Sequence, residues 1–386
     1  MGKFSKICDV LLLIGVLSFF LVYPILGKIY LDGKFQLNGV STEVERPEMR
    51  IEGLMNGSYQ ESTETYLHDY LIGKNLLVRI HNQILYSAFN VSSNANVVIG
   101  KDKQLYEPEY IHYSLNMYGQ PSEEEISVLI GKLETLNQIL TNEDKELYIF
   151  ITPAKTRYYK DKIPTIYLKY DNSLNVNLAY DTFTSQLRKS SINYFDSISF
   201  INANKDDYDF PLWYSTGIHW SRALGSRVAE EFNHYLCEKS KYDLGHIEVS
   251  LYKSAECEAP DADLYNILNL LIPAEYTGTE YYGVQYETVS GGQQPSVFYR
   301  GGSFMGQSIN ALILCHIFGD NIHFENNYYF TDCYNNVQTL SSFDAYDEFD
   351  VCSYLKNSDI LILEVNEEKI FTMGWGFIDY ILENYE

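Results

Sequence analysis

Two residues in this chain have surroundings suited to covalent chemistry, Ser303 and His219. The serine lies in Arg300-Gly301-Gly302-Ser303-Phe304, after the apolar run Val297, Phe298, Tyr299 and before a helix-like stretch from Met305 to Ile317. A serine on a glycine-flanked turn between a strand and a helix exposes its Oγ. The same turn aims neighbouring backbone N–H groups, here those of Gly302 and Ser303, at a developing oxyanion. The histidine lies 84 residues earlier, in Thr216-Gly217-Ile218-His219-Trp220-Ser221. An imidazole brought beside a hydroxyl takes its proton as the nucleophile attacks, then gives it to the leaving group. The pair predicts acyl transfer through a serine ester, a chemistry that requires no metal or organic cofactor. The plainer roles are a serine capping the following helix and a histidine packed in a turn.

Positioning such a pair takes a scaffold, and the pattern from residue 120 onward supplies one. Ser122 to Leu140 has helical spacing, and Ser122 with Glu125 forms a capping box. Leu147 to Thr152 is an apolar strand ending at Pro153; Asn177 to Lys189 is helical and Ile192 to Phe195 strand-like. Ser221 to Glu238 is helical, Ser296 to Tyr299 is the strand before Ser303, Asp359 to Val365 is another buried strand, and Phe371 to Leu382 is a closing helix. Continuous apolar strands alternating with helices predict an α/β fold, a parallel sheet with helices on both faces. Ligands in such folds sit at the C-terminal ends of strands, where Thr152, Ser303 and Asn366 fall. Residues 242–295 are less regular and read as an insertion or long loops. Leu31 to Gln60 is polar and reads as a stalk; Thr65 to Phe89 has helical spacing.

Val10 to Leu26 is uncharged and follows Lys3 and Lys6. As a helix it would be ~25 Å long, near the minimum for a bilayer core. The basic flank predicts a cytoplasmic N-terminus, a single crossing and an extracytoplasmic body at the cell membrane. The exit, Tyr23-Pro24-Ile25-Leu26-Gly27-Lys28, has no small-residue cleavage site, so anchor is favoured over cleaved signal. The domain reading is an anchor over 1–30, a stalk over 31–65 and a catalytic domain over 66–386. The net charge of −24, from 52 acidic and 28 basic residues, opposes attraction to nucleic acid or anionic membrane surfaces. Six cysteines without a Cys-x-x-Cys give no disulfide framework or zinc motif.

The order of several segments resembles the alginate O-acetyltransferase AlgJ/AlgX group, whose catalytic domain is SGNH-hydrolase-like. Val97 to Tyr106 resembles that family's V-x-x-G-K-D-G-W-L-F segment, and Ile151 to Lys155 with Ile163-Pro164 resembles its P-x-K…P loop. Thr216 to Ser221 resembles T-D-T-H-W, Arg300 to Phe304 resembles G-D-S-F, and Asp359 to Glu367 resembles D-x-V-x-x-E-x-N-E. The resemblance spans about residues 70–386. It implies O-acetyl transfer onto an exopolysaccharide or cell-wall glycan, with Ser303 as nucleophile and His219 as base. It also implies a multi-spanning MBOAT-type acyltransferase partner that delivers the acyl group from inside the cell. Two departures stand out: the family's aspartate two residues before the histidine is Gly217, and the one before the serine is Gly302. The first of those aspartates orients the histidine. Either another acid replaces it, from among Asp206, Asp207, Asp209, Glu364 and Glu367, or the chain is a weakened enzyme or a glycan-binding pseudoenzyme. An esterase of the same fold is the remaining alternative. Other candidates are Arg300 (substrate or ion pair), Asn366 (oxyanion donor or turn residue), Trp220 (pocket wall or core) and Lys155 (cleft lining or solvated loop).

Overall fold

The computed structural model describes residues 10–15, 18, 34–39, 45–69, 73–173, 179–257, 260–289, 291–325, 329–331, 337–339, 346 and 349–385. The strands are β1 (Val98–Ile99), β2 (Leu105–Tyr106), β3 (Glu146–Thr152), β4 (Asn193–Asp196), β5 (His246–Ser254) and β6 (Tyr281–Val289), followed by β7 (Val297–Gly301), β8 (Asn321–Glu325), β9 (Tyr329–Thr331), β10 (Val337–Thr339) and β11 (Ile360–Asn366). Helices that cover the sheet or position the site are α1 (Pro108–Ser114), α2 (Glu123–Asn142), α3 (Ala179–Leu187), α4 (Ser197–Asn204), α5 (Arg222–Lys239), α6 (Ser303–Leu314) and α7 (Phe377–Asn384).

The chain divides into two compact units, one of residues 1–95 with 264–277 and one of residues 96–263 with 278–386. In the first, the Asn82 amide donates to the carbonyl of Leu268 at 2.9 Å and Arg79 donates to that of Leu270 at 2.7 Å. The stretch read as a stalk contains a helix over Ile51–Asn56 and the start of another over Ser58–Asp69. Of the expected span Val10 to Leu26, residues 10–15 and 18 are described, as helix, and the rest lies outside the described residues. Among the described residues no helix is long and apolar enough to cross a membrane.

The second unit carries a seven-stranded sheet of order β10-β9-β8-β7-β11-β3-β4. From β8 to β4 every pairing is parallel, as the apolar strands predict. β9 and β10 pair antiparallel at one edge, which the sequence pattern does not announce. Alternate side chains of a strand point to opposite faces. Leu147, Ile149 and Ile151 of β3 therefore join a core with Leu133 of α2, Phe183 of α3 and Phe377 of α7. Tyr148 and Phe150 face the other way: Phe150 stacks on Phe232 of α5 at 4.7 Å, and Tyr148 meets Tyr235 edge-on. α2 begins at the expected capping box: Ser122 accepts from the Glu125 amide at 3.2 Å, and Glu125 accepts from the Ser122 amide at 2.8 Å.

Two further expectations change. The stretch 242–295 is more ordered than a set of loops, because β5 and β6 pair antiparallel over their full lengths. The closing helix begins at Phe377 rather than Phe371, because Gly374, Trp375 and Gly376 have positive φ of 73°, 49° and 80°, which breaks the helical path.

Candidate active site

Ser303 opens α6 directly after β7, and His219 lies in the loop that enters α5. The two side chains meet: His219 Nε2 is 2.7 Å from Ser303 Oγ. On the other side of the ring, His219 Nδ1 is 2.5 Å from Oδ2 of Asp263. Serine, imidazole and carboxylate thus form one hydrogen-bonded chain. With Nδ1–H donated to Asp263, Nε2 is left as the acceptor for the serine proton.

None of the acids named from sequence orients the histidine. Asp206, Asp207 and Asp209 are exposed on and after a short 3-10 turn. Glu367 is held bidentate by the Arg157 guanidinium and also accepts from the Ala154 amide at 3.0 Å. Glu364 serves the serine turn instead. Asp263 was missed, and the sequence carries one indirect sign of it: Gly217 leaves the histidine without its usual acid.

The structure explains that glycine. A Cβ on Gly217 would lie 2.7 Å from the carbonyl oxygen of Pro260 and 3.1 Å from that of Asp261. The segment carrying the replacement acid fills the space that a side chain at 217 would need. That segment is tied to the histidine loop at several points. Thr216 Oγ1 donates to the Asp261 carbonyl at 2.6 Å, and the Ile218 amide donates to Asp263 Oδ1 at 2.9 Å. Asp261 Oδ1 accepts from the Arg222 amide at 2.9 Å, satisfying a donor in the first turn of α5.

A second carboxylate builds the serine turn. Glu364, on β11 and almost fully buried, accepts from the Gly302 amide at 2.6 Å and from the Thr152 hydroxyl. This joins the C-terminal ends of three adjacent strands, β3, β11 and β7. Gly301 is required by the close approach: a Cβ there would lie 2.6 Å from Cβ of Glu364. The expectation that the Gly302 amide faces an oxyanion is corrected, because that N–H is committed to Glu364. The Ser303 amide, at the first position of α6, has no intrahelical acceptor.

The electrostatics of the histidine are set by burial and by the acids around it. Burial pulls the His219 pKa down; the Asp263 hydrogen bond and charge, with Glu107 and Glu325 further off, pull it up by more, and the net lies above the ordinary value. Burial raises the Glu364 carboxyl to about 7 despite the hydrogen bonds from Thr152 and Gly302, which favour its charged form. Burial also raises Glu107 and Glu325, and in both cases His219 opposes the shift. Neither of these two glutamates was singled out from sequence.

The remaining candidates are structural. Lys155 is fully buried rather than cleft-lining. Its Nζ donates to the carbonyls of Leu105 (2.9 Å), Tyr214 (2.9 Å) and Gly217 (2.7 Å), pinning the histidine loop from below. Burial lowers its pKa to about 7, and the charge of Asp263 opposes that shift. Arg300 is also fully buried: it donates to Tyr346 Oη at 2.9 Å and lies against the rings of Phe324 and Trp375, out of reach of substrate. Trp220 is core, meeting Phe304 edge-on at 6.0 Å. The Asn366 side chain borders the cleft, but its amide donates to the Pro153 carbonyl at 3.0 Å and its oxygen accepts from the Glu368 amide at 3.2 Å.

Ser303 opens into a cleft of about 400 Å³ whose lining includes Phe304, Tyr110, Met373 and Trp375 as apolar wall, with Glu107 and Lys369. Among the described residues no group of three or more His, Cys, Asp or Glu side chains is arranged to hold a metal ion.

A family model described as the SGNH hydrolase-like domain of acetyltransferase AlgX matches residues 97–294, a span that includes His219 and Asp263 and stops short of Ser303. No curated protein matches the sequence. Among solved structures, the O-acetyltransferase domain of Pseudomonas putida AlgJ is 16% identical, with a TM-score of 0.44 over 72% of this chain and 93% of that one. Pseudomonas aeruginosa AlgX is 16% identical, with a TM-score of 0.42 over 75% and 68%. Bacillus cereus PatB1 is 12% identical, with a TM-score of 0.44 over 72% and 97%.

Proposed function

Since the chain belongs to the SGNH hydrolase-like AlgX acetyltransferase family, we propose that it is an O-acetyltransferase that modifies an exopolysaccharide or cell-wall glycan through an ester on Ser303. The observation that supports this reading is the unbroken chain Asp263–His219–Ser303. His219 Nε2 takes the Ser303 proton as Oγ attacks the donor's carbonyl carbon. The Ser303 amide, at the positive end of α6, stabilises the oxyanion. The tetrahedral species collapses, His219 returns the proton to the departing donor group, and the acetyl stays on Oγ. A sugar hydroxyl then gives its proton to His219, attacks the ester and leaves acetylated as Oγ is reprotonated. Asp263 holds the ring in the required tautomer and stabilises the imidazolium formed at each attack.

The pseudoenzyme alternative is motivated by Gly217 and Gly302. Asp263 occupies the orienting position, which favours an active site. Water in place of the sugar hydroxyl would give an esterase. Placement outside the cytoplasm, anchored through Val10 to Leu26, is supported by the Lys3/Lys6 flank. A multi-spanning MBOAT-type donor suits that location, where acetyl-CoA is not available.

The test uses p-nitrophenyl acetate as donor. A burst of p-nitrophenol, with an acetyl adduct mapped by mass spectrometry to Ser303, is the expected result; absence of both defeats the reading. Adding an oligosaccharide acceptor separates transfer from hydrolysis, since transfer yields an acetylated sugar.

A further inference from the structure

The charge around Ser303 constrains the acceptor. Three carboxyl side chains line the cleft (Glu107, Glu109 and Glu364), against one cation, Lys369. That cation is already engaged: Lys369 Nζ pairs with the Glu109 carboxylate and sits 5.5 Å from the Tyr110 ring centre and 4.8 Å from that of Tyr113. The other basic side chains near the strand ends point elsewhere. Lys155 is buried beneath the histidine loop, Arg300 is buried behind Trp375, and Arg157 holds Glu367. Asp263 and Glu325 add negative charge beside His219. The protein as a whole carries 52 acidic against 28 basic residues, so its long-range field also repels anions.

Resting on the acyl-transfer reading above, we infer that the acceptor is a saccharide without carboxylate, phosphate or sulfate groups near the accepting hydroxyl, and that Glu107 is a specificity-determining residue. An anionic sugar entering this cleft would set its charge against Glu107 and the Asp263 carboxylate beside His219, while the cleft cation Lys369 is already paired with Glu109. A neutral or amine-bearing sugar meets the opposite situation. Carboxylates accept hydrogen bonds from sugar hydroxyls and attract ammonium groups. The apolar face of a pyranose ring suits the wall formed by Tyr110 and Trp375, both at the cleft. Glu107 is suited to this contact because it lines the cleft and its carboxyl lies within the electrostatic reach of His219 and Lys369, beside the reacting centre.

The experiment measures binding of three tetrasaccharides to the Ser303→Ala protein by titration calorimetry at low salt. They are an N-acetylglucosamine tetramer (neutral), a glucosamine tetramer (cationic) and a mannuronate tetramer (anionic). The neutral and cationic tetramers are expected to bind about tenfold or more tightly than the anionic one. Raising the salt should narrow the gap, and adding Glu107→Gln should narrow it further by admitting the uronate. Equal affinity, preference for the uronate, or binding of none of the three overturns the inference. The p-nitrophenyl acetate burst on the unmodified protein is read separately. Its absence defeats acyl transfer while the affinity order still decides acceptor charge.

Discussion

The histidine loop and the serine turn solve the same problem in different ways. Each must hold one reactive side chain in a fixed direction, and each has a glycine where the related family has an aspartate. At the histidine, Gly217 makes room for the backbone of Pro260 and Asp261, and the acid arrives from a distant segment as Asp263. At the serine, the Gly302 amide is gripped by Glu364 from the neighbouring strand, and Gly301 makes room for that glutamate. In one region an acid from a distant segment meets the histidine ring; in the other an acid from the neighbouring strand holds the backbone beside Ser303. A glycine in an active-site motif can therefore record a close approach by another segment rather than a lost function.

The comparison is broken most decisively at the triad. Ser303→Ala should remove the acyl-enzyme altogether, read as loss of both burst and adduct. Asp263→Asn should lower kcat by ~10⁴-fold with the fold intact, because the amide favours the wrong imidazole tautomer. The matched changes Asp206→Asn, Asp207→Asn and Asp209→Asn should leave kcat unaltered, since those residues are exposed and away from the ring. If one of them matches Asp263→Asn, the assignment of the orienting acid is wrong.

At the serine turn the effect should be smaller and partly structural. Glu364→Leu leaves the Gly302 N–H and the Thr152 hydroxyl without their acceptor, a cost of about 1–3 kcal/mol for each buried group. Thermal melting should fall, and kcat should drop more than KM rises, because the nucleophile turn loosens. Retention of full activity and melting temperature would show that the carboxylate does not hold the turn. Gly217→Asp sharpens the other side. Its Cβ meets the Pro260 carbonyl at 2.7 Å, so about 1–3 kcal/mol of strain is expected. Combined with Asp263→Asn, it should not restore activity unless the 260–263 segment moves away; rescue of kcat by the double change would show that the segment yields.

The smallest effect is on pH dependence. The reaction needs neutral His219, and negative charge at Glu107 favours the imidazolium. Glu107→Gln should lower the histidine's pKa, so the acid limb of the kcat/KM profile should move to lower pH. A limb that stays in place or moves upward contradicts that coupling.

Much of this architecture is legible in the order of residues alone. Capping chemistry at Ser122, the apolar runs of β3, β7 and β11 and the strand–turn–helix around Ser303 are local signals, because each depends on residues within a few positions of one another. The roles of Lys155, Arg300 and Asn366 are not legible there, since a basic or amide side chain near a strand end reads the same whether it faces solvent or the interior. Sequence by itself determined the α/β order and singled out Ser303 and His219, which the fold brings within hydrogen-bond distance. Only the tertiary structure decided which carboxylate meets His219, why residues 217 and 301 must be glycine, and which amide Glu364 takes up. Those are matters of approach between segments far apart in the chain, and a hydrogen bond of 2.5 Å between residues 44 positions apart leaves no periodicity for a sequence to display.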